Sequence, residues 1–104
     1  VARHEIKGSL QDFLRAGAYL LRPKGRMALI FPAARAVDLL QAMRTEGVEP
    51  KRLRLVHSAA GSAAALALVE GTKGGRRELD VMPPLVVYAP DGGYTTEAKV
   101  ILGE

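Results

Sequence analysis

The residues that could do chemistry in this chain are few. Its two histidines, His4 and His57, stand far apart and share no HxxxH or HExxH spacing, so the usual helical zinc pairing is missing and no metal site is expected. There is no cysteine, which excludes thiolate catalysis, zinc–thiolate sites and disulfides. It also fits a reducing compartment, and the expectation is a cytoplasmic protein. Asparagine is absent as well. What remains is a basic, glycine-rich stretch, Gly71-Thr72-Lys73-Gly74-Gly75-Arg76-Arg77. Lys73, Arg76 and Arg77 on such a loop are point charges that suit the phosphates of a nucleic acid, which need no base-reading geometry. The plainer alternative is a solvated basic turn. The glycines do not follow the GxGxxG spacing of a dinucleotide loop. Tyr88 and Tyr94 either stack on a base or pack across a hairpin. Lys51, Arg52 and Arg54 suggest a solvated or helix-covered sheet face.

These residues must be positioned by a small scaffold. The 104 residues make one domain at most. Apolar residues are 48% and charged ones 25%, a globular composition. Aromatics are only 5%, with no tryptophan, so the core must be built from Leu, Val, Ile and Ala. A chain of this length buries about 60–65% of its unfolded surface and is marginally stable without a partner. No apolar run approaches the roughly 20 residues of a membrane span, and the start VARHEIKG is no signal peptide. The net charge of +4 is compatible with a polyanionic partner without requiring one.

The spacing of Leu10, Phe13, Leu14, Gly17 and Leu21 predicts an amphipathic helix over Ser9–Leu21, with Ser9 and Asp12 as a capping box. Pro23 and Gly25 stop it, the glycine taking the left-handed position. Arg26–Phe31 is an apolar run that suits a strand buried on both faces. Ala34–Glu46 is a second helix, with Val37, Leu40, Met43 and Gly47 inward and Arg35, Asp38, Gln41 and Arg44 outward; Gly47 is also its expected stop, with Pro50 just beyond. Arg52–His57 alternates as a strand with Leu53 and Leu55 inward, and His57 is a strand-end residue. Ala59–Glu70 is ambiguous: its alanines favour helix, its run Leu66-Ala67-Leu68-Val69 a strand. Leu85–Tyr88 is strand-like, Pro90-Asp91-Gly92-Gly93 a turn, and Tyr94-Thr95 a returning hairpin arm. Thr96–Leu102 is a short helix or an edge strand.

The segment Ala18-Tyr19-Leu20-Leu21-Arg22-Pro23-Lys24-Gly25-Arg26-Met27-Ala28-Leu29-Ile30 resembles the fourth helix and fifth strand of class I S-adenosylmethionine-dependent methyltransferases. Ala2–Glu5, Leu53–His57, Leu68–Gly75, Pro83–Tyr88 and Gly93–Glu97 resemble one bacterial branch, the methyltransferase-small-domain group with the tRNA(Val) adenine methylases. The resemblance spans nearly the whole chain but only the C-terminal half of that family. It implies a partial α/β domain over residues 1–104: strands 5, 7 and 6 of a Rossmann-like fold, flanking helices and a C-terminal hairpin. It places the central strand at Ala65–Thr72, antiparallel to its neighbours and against alanine propensity. The two helices are expected on opposite faces of the sheet. Arg3, His4 and Glu5 follow the family's catalytic motif and would line the substrate entrance; helix-start chemistry is the alternative.

The family's cofactor loop, ribose-binding acid and Asn-Pro-Pro-Tyr motif have no counterpart here. Met82-Pro83-Pro84-Leu85 imitates the last only in its prolines, since Met82 accepts hydrogen bonds poorly and Leu85 does not stack. No catalytic or cofactor-binding residue is therefore expected in this chain. Three functions compete. The first is the C-terminal portion of a methyltransferase that uses S-adenosylmethionine on an adenine amine in tRNA, inactive alone. The second is a non-enzymatic basic RNA-binding or dimerisation module. The third is a methyltransferase for a small molecule or protein. Strand Met27–Phe31 would lack a neighbour on one side, so self-association or pairing with an N-terminal half is expected.

Overall fold

The computed structural model describes residues 9–103. Along the chain these form α1 (Leu10–Leu20), β1 (Arg26–Pro32), a 3₁₀ turn (Ala33–Arg35), α2 (Ala36–Thr45), β2 (Val48–His57), β3 (Ala64–Lys73), β4 (Asp80–Val81), β5 (Leu85–Val86) and α3 (Thr96–Leu102). The three long strands stand in the order β1-β3-β2. β3 is antiparallel to both neighbours, with Ile30 opposite Leu68 and Leu68 opposite Arg54. Two short strands, β4 and β5, then run parallel to β2 along its outer side. Pro83 and Pro84 separate them. A proline cannot donate to the ladder, so this edge is stitched in two pieces around the diproline. No helix among the described residues is long and apolar enough to cross a membrane.

Local chemistry explains the element ends. Ser9 Oγ accepts from the Asp12 amide at 3.1 Å while Asp12 accepts from the Ser9 amide at 3.3 Å, closing the capping box. Thr95 caps α3 by a single bond, its hydroxyl accepting from the Ala98 amide at 3.1 Å. After α1 the left-handed residue is Lys24, with φ 68°, rather than Gly25. Gly25 is needed for a different reason: a β-carbon there would lie 2.8 Å from the Arg22 carbonyl oxygen. Tyr88 and Tyr94 form an antiparallel bridge, so the expected hairpin is present, but the strand read at Leu85–Tyr88 shortens to Leu85–Val86.

The core joins α1, α2 and one sheet face: Leu14, Ala18, Leu29, Phe31, Leu39, Ala42, Met43, Val48, Ala67 and Val69. The buried stripe of α2 is Leu39, Ala42 and Met43; of the expected inward residues Met43 is buried and Leu40 packs half-buried against the core, while Val37, 74% exposed, and Gly47 face outward. Leu39, Ala42 and Met43 are spaced by three and four and so share one face of α2. The expected placement of the helices on opposite faces is also corrected. Gln11 Nε2 donates to the Ala42 carbonyl at 3.4 Å, and Arg15 pairs with Glu46 at 3.3 Å, so α1 and α2 lie side by side on the same face. The crossover rule constrains only α2, which joins the parallel strands β1 and β2. α1 precedes β1 and crosses between no two of these strands, so its place is decided by packing against α2.

Candidate functional site

Three regions of this scaffold could meet a ligand or partner, and the strand directions separate them. β1 and β2 are parallel, and their carboxyl ends, Pro32 and His57, mark the pole at which open α/β sheets usually bind ligands. Here β1 runs into Pro32-Ala33-Ala34-Arg35 and β2 into His57-Ser58; neither enters a glycine-rich turn or ends in a carboxylate. His57 Nδ1 is held at 2.8 Å from the Ser62 carbonyl, which accepts from it, so the ring fastens a turn. Tyr88 and Tyr94 lie at the same pole, stacked on each other with centroids 5.5 Å apart. The residues present therefore do not fit an adenosine-bearing cofactor, which needs close backbone approach to its ligand and an acid for the ribose.

The basic loop stands at the opposite pole. The register pairs Arg26 with Thr72 and Val48 with Lys73, at the amino ends of β1 and β2. A ten-residue strand separates the poles, about 30 Å at ~3.3 Å per residue. The loop is tied down. Lys73 Nζ donates to the Leu21 carbonyl at 2.9 Å, satisfying a carbonyl left over at the end of α1. Lys24 Nζ donates to the Gly74 carbonyl at 2.9 Å and Lys51 Nζ to the Arg76 carbonyl at 2.6 Å. Arg76 and Arg77 are exposed. Of the residues singled out in the sequence, the structure thus brings Lys73, Arg76 and Arg77 together, with Lys24 and Lys51 added. Arg3, His4 and Glu5 lie outside the described residues. Among the described residues no cluster of His, Asp or Glu could hold a metal ion.

Beside this pole Arg44 grips Glu49 through two bonds, Nε to Oε1 at 3.0 Å and the second nitrogen to Oε2 at 2.5 Å. Glu49 is only 9% exposed. The hydrogen bond from Arg44 holds its carboxyl below the ordinary range against the opposing cost of burial, helped by the charges of Arg44, Arg77 and Lys51. A carboxyl depressed in the folded state stabilises the fold above its unfolded value, ~4.3, and that contribution is lost as pH falls through the folded value. Thermal melts should therefore show the melting temperature falling from about pH 5 downward. In Glu49→Gln that slope should be visibly flatter; an unchanged slope would mean the pair contributes nothing.

The third region is the sheet face turned away from α1 and α2. It presents Ala28 and Ile30 from β1, Leu66, Leu68 and Glu70 from β3, and Arg52 and Arg54 from β2. Ile30 is 40% and Leu66 39% exposed. A trough of about 450 Å³ runs over Ala28, Ile30, Arg52, Arg54, Leu68 and Met82. α3 reaches only its border, where Glu97 pairs with Arg54. β1 has no partner on its other edge among the described residues, and α1 beside it leaves Tyr19 85% and Leu20 80% exposed. From the sequence, Arg52 and Arg54 on this face read as a solvated or helix-covered sheet surface. Its signal was the unbroken apolar run of β1, which asks for cover on both sides.

No protein-family model matches the chain. No curated protein matches it either. Among solved structures, the crystal structure of a predicted O-methyltransferase from Agrobacterium tumefaciens is similar, with a TM-score of 0.83 over 93% of this chain at 20% identity. The chain spans 47% of that protein, about half its length. The likeness shows the fold alone, a mixed α/β sheet with helices like part of that protein's.

Proposed function

We propose that this chain is the C-terminal half of a class I S-adenosylmethionine-dependent methyltransferase domain, with β1, β3 and β2 as its fifth, seventh and sixth strands. The observation that carries the reading is a sheet covered by helices on one face and left with exposed Ile30 and Leu66 on the other, in a chain matched over 93% of its length by half of a methyltransferase-type fold. The cofactor's cradle belongs to the other half, because the strand ends in this one lack its residues. The finer reading, methylation of an adenine amine in tRNA, rests on the motif resemblance. In it Arg76 and Arg77 contact phosphates, Lys73 fixes the loop that carries them, and Arg3, His4 and Glu5 line the entrance. A small-molecule hydroxyl is the second reading, favoured because the similar structure is that of a predicted O-methyltransferase.

Calorimetry should find no saturable micromolar binding of S-adenosylmethionine to the 104-residue chain. Such binding would overturn the half-domain reading. The complete product of the same locus, given labelled cofactor and total tRNA, should place label in N6-methyladenosine. Label in a hydroxyl ether of a small molecule would replace the tRNA reading with the second one, and no transfer to tRNA, small molecules or protein would remove the methyltransferase reading.

A further inference from the structure

We propose that the amino-end pole of the sheet is a second RNA contact, which grips backbone phosphates far from the pole where β1 and β2 end. The inference rests on the tRNA arm of the half-domain reading and deepens it. Hydrogen bonds gather the cations of this pole from three separate stretches of chain. Lys24 Nζ donates to the Gly74 carbonyl at 2.9 Å, Lys51 Nζ to the Arg76 carbonyl at 2.6 Å, and Lys73 Nζ to the Leu21 carbonyl, next to Arg22, at 2.9 Å. Each ammonium is thus placed by a carbonyl and not neutralised by a carboxylate. An ammonium has three donors, so Lys24 and Lys51 keep two each for a ligand. Arg22, Arg76 and Arg77 are exposed and form no ion pair among the described residues.

The carboxylates nearby do not cancel this charge. Glu49 is held by Arg44 and Glu46 by Arg15. That leaves Glu78 and Asp80, both exposed, against Arg22, Lys24, Lys51, Lys73, Arg76 and Arg77. The excess of four equals the net charge of the whole chain, so the remaining residues balance one another. Like charges gathered at one end repel and cost stability, and a polyanion offsets that cost. Point charges of this kind position a nucleic-acid backbone and read no bases. The span selects the class of RNA. The ten residues of β2 put about 30 Å between the two poles, at ~3.3 Å per residue. A nucleotide or a small molecule cannot meet both ends, whereas a folded RNA can. A flat anionic membrane would meet the charges but turn the other pole away from itself.

The test measures binding of total tRNA to the complete locus product over a salt series, without cofactor. In Arg76→Ala with Arg77→Ala the logarithmic salt slope should be shallower by about one to two, and the affinity lower by about tenfold or more. Lys24→Gln with Lys51→Gln, which removes charge but leaves a donor for each carbonyl, should act in the same direction. Arg76→Lys with Arg77→Lys should hold the slope, since phosphates need only the charge. Melting temperatures should stay within a few degrees, so that lost binding is not lost folding. Unchanged slope and affinity in both charge-removing variants would overturn the proposal, as would equal or tighter binding to phosphatidylserine vesicles. Nuclease footprinting at saturating protein should show two protected RNA segments, one of which the double alanine variant exposes; a single segment would remove the span. Binding is read without methyl transfer, so tRNA gripped by a protein that transfers nothing keeps this inference and sinks the methyltransferase reading. Transfer to a small molecule with no salt-sensitive tRNA binding does the reverse.

Discussion

Met43→Ala should lower the stability of this chain by about 2–5 kcal/mol, the range for truncating a fully buried Met or Leu. Met43 is 0% exposed and sits where α2 meets β2 and β3. Removing its three terminal heavy atoms leaves a cavity between Leu39, Val48 and Gly71. Those neighbours are held by a helix and two paired strands, so the cavity cannot close. At roughly 4–8 °C per kcal/mol for a domain of this size, the melting temperature should fall by about 8–40 °C. Thermal denaturation followed by circular dichroism reads this directly. A shift within a few degrees would mean that Met43 does not hold the two layers together.

Gly71→Ala should cost about 1–3 kcal/mol by the opposite fault, overpacking. A β-carbon at Gly71 would lie 2.4 Å from Met43 Cε, 2.8 Å from Val48 Cγ1 and 3.1 Å from the Glu49 carbonyl oxygen. The methionine tip can move. The valine and the backbone of β2 cannot, because the same register that pairs Gly71 with Pro50 fixes them. The two substitutions should therefore couple. In Gly71→Ala with Met43→Ala the new methyl enters the space that Met43 vacates, and the loss should be smaller than the sum by about 0.5–3 kcal/mol. Strict additivity in urea titrations would show that the two residues do not share one space. Gly61→Ala is the control: nothing lies within 4 Å of a β-carbon there, and its effect should stay within about 0.5 kcal/mol.

What the sequence by itself determined is mostly local. Ser9 with Asp12, Gly47 with φ 82°, and the turn before Gly93 each act within a few residues, so their chemistry can be read without knowing what lies opposite. The alternation of Arg52–Leu55 likewise placed Leu53 and Leu55 against the core. Tertiary structure decided the rest. Ala64–Lys73 is rich in helix-forming alanine, yet it is the central strand, because β1 and β2 offer it a ladder on both sides that a lone helix could not replace. The resemblance anticipated that strand; propensity did not. Along α2 the expected Leu40 and Met43 do meet the core, but Leu39 and Ala42 are buried with them and Val37 is left outside, which only the packing against the sheet decides. Lys73 read as a free cation in the sequence, but the unsatisfied carbonyl at the end of α1 claims its ammonium group. The uncovered face was legible only in part: Arg52 and Arg54 read as a solvated or helix-covered sheet face, without saying which. An apolar strand states that both its sides need cover, and only the three-dimensional arrangement shows that α1 and α2 settle on one side, leaving Ala28, Ile30, Leu66 and Leu68 on the other.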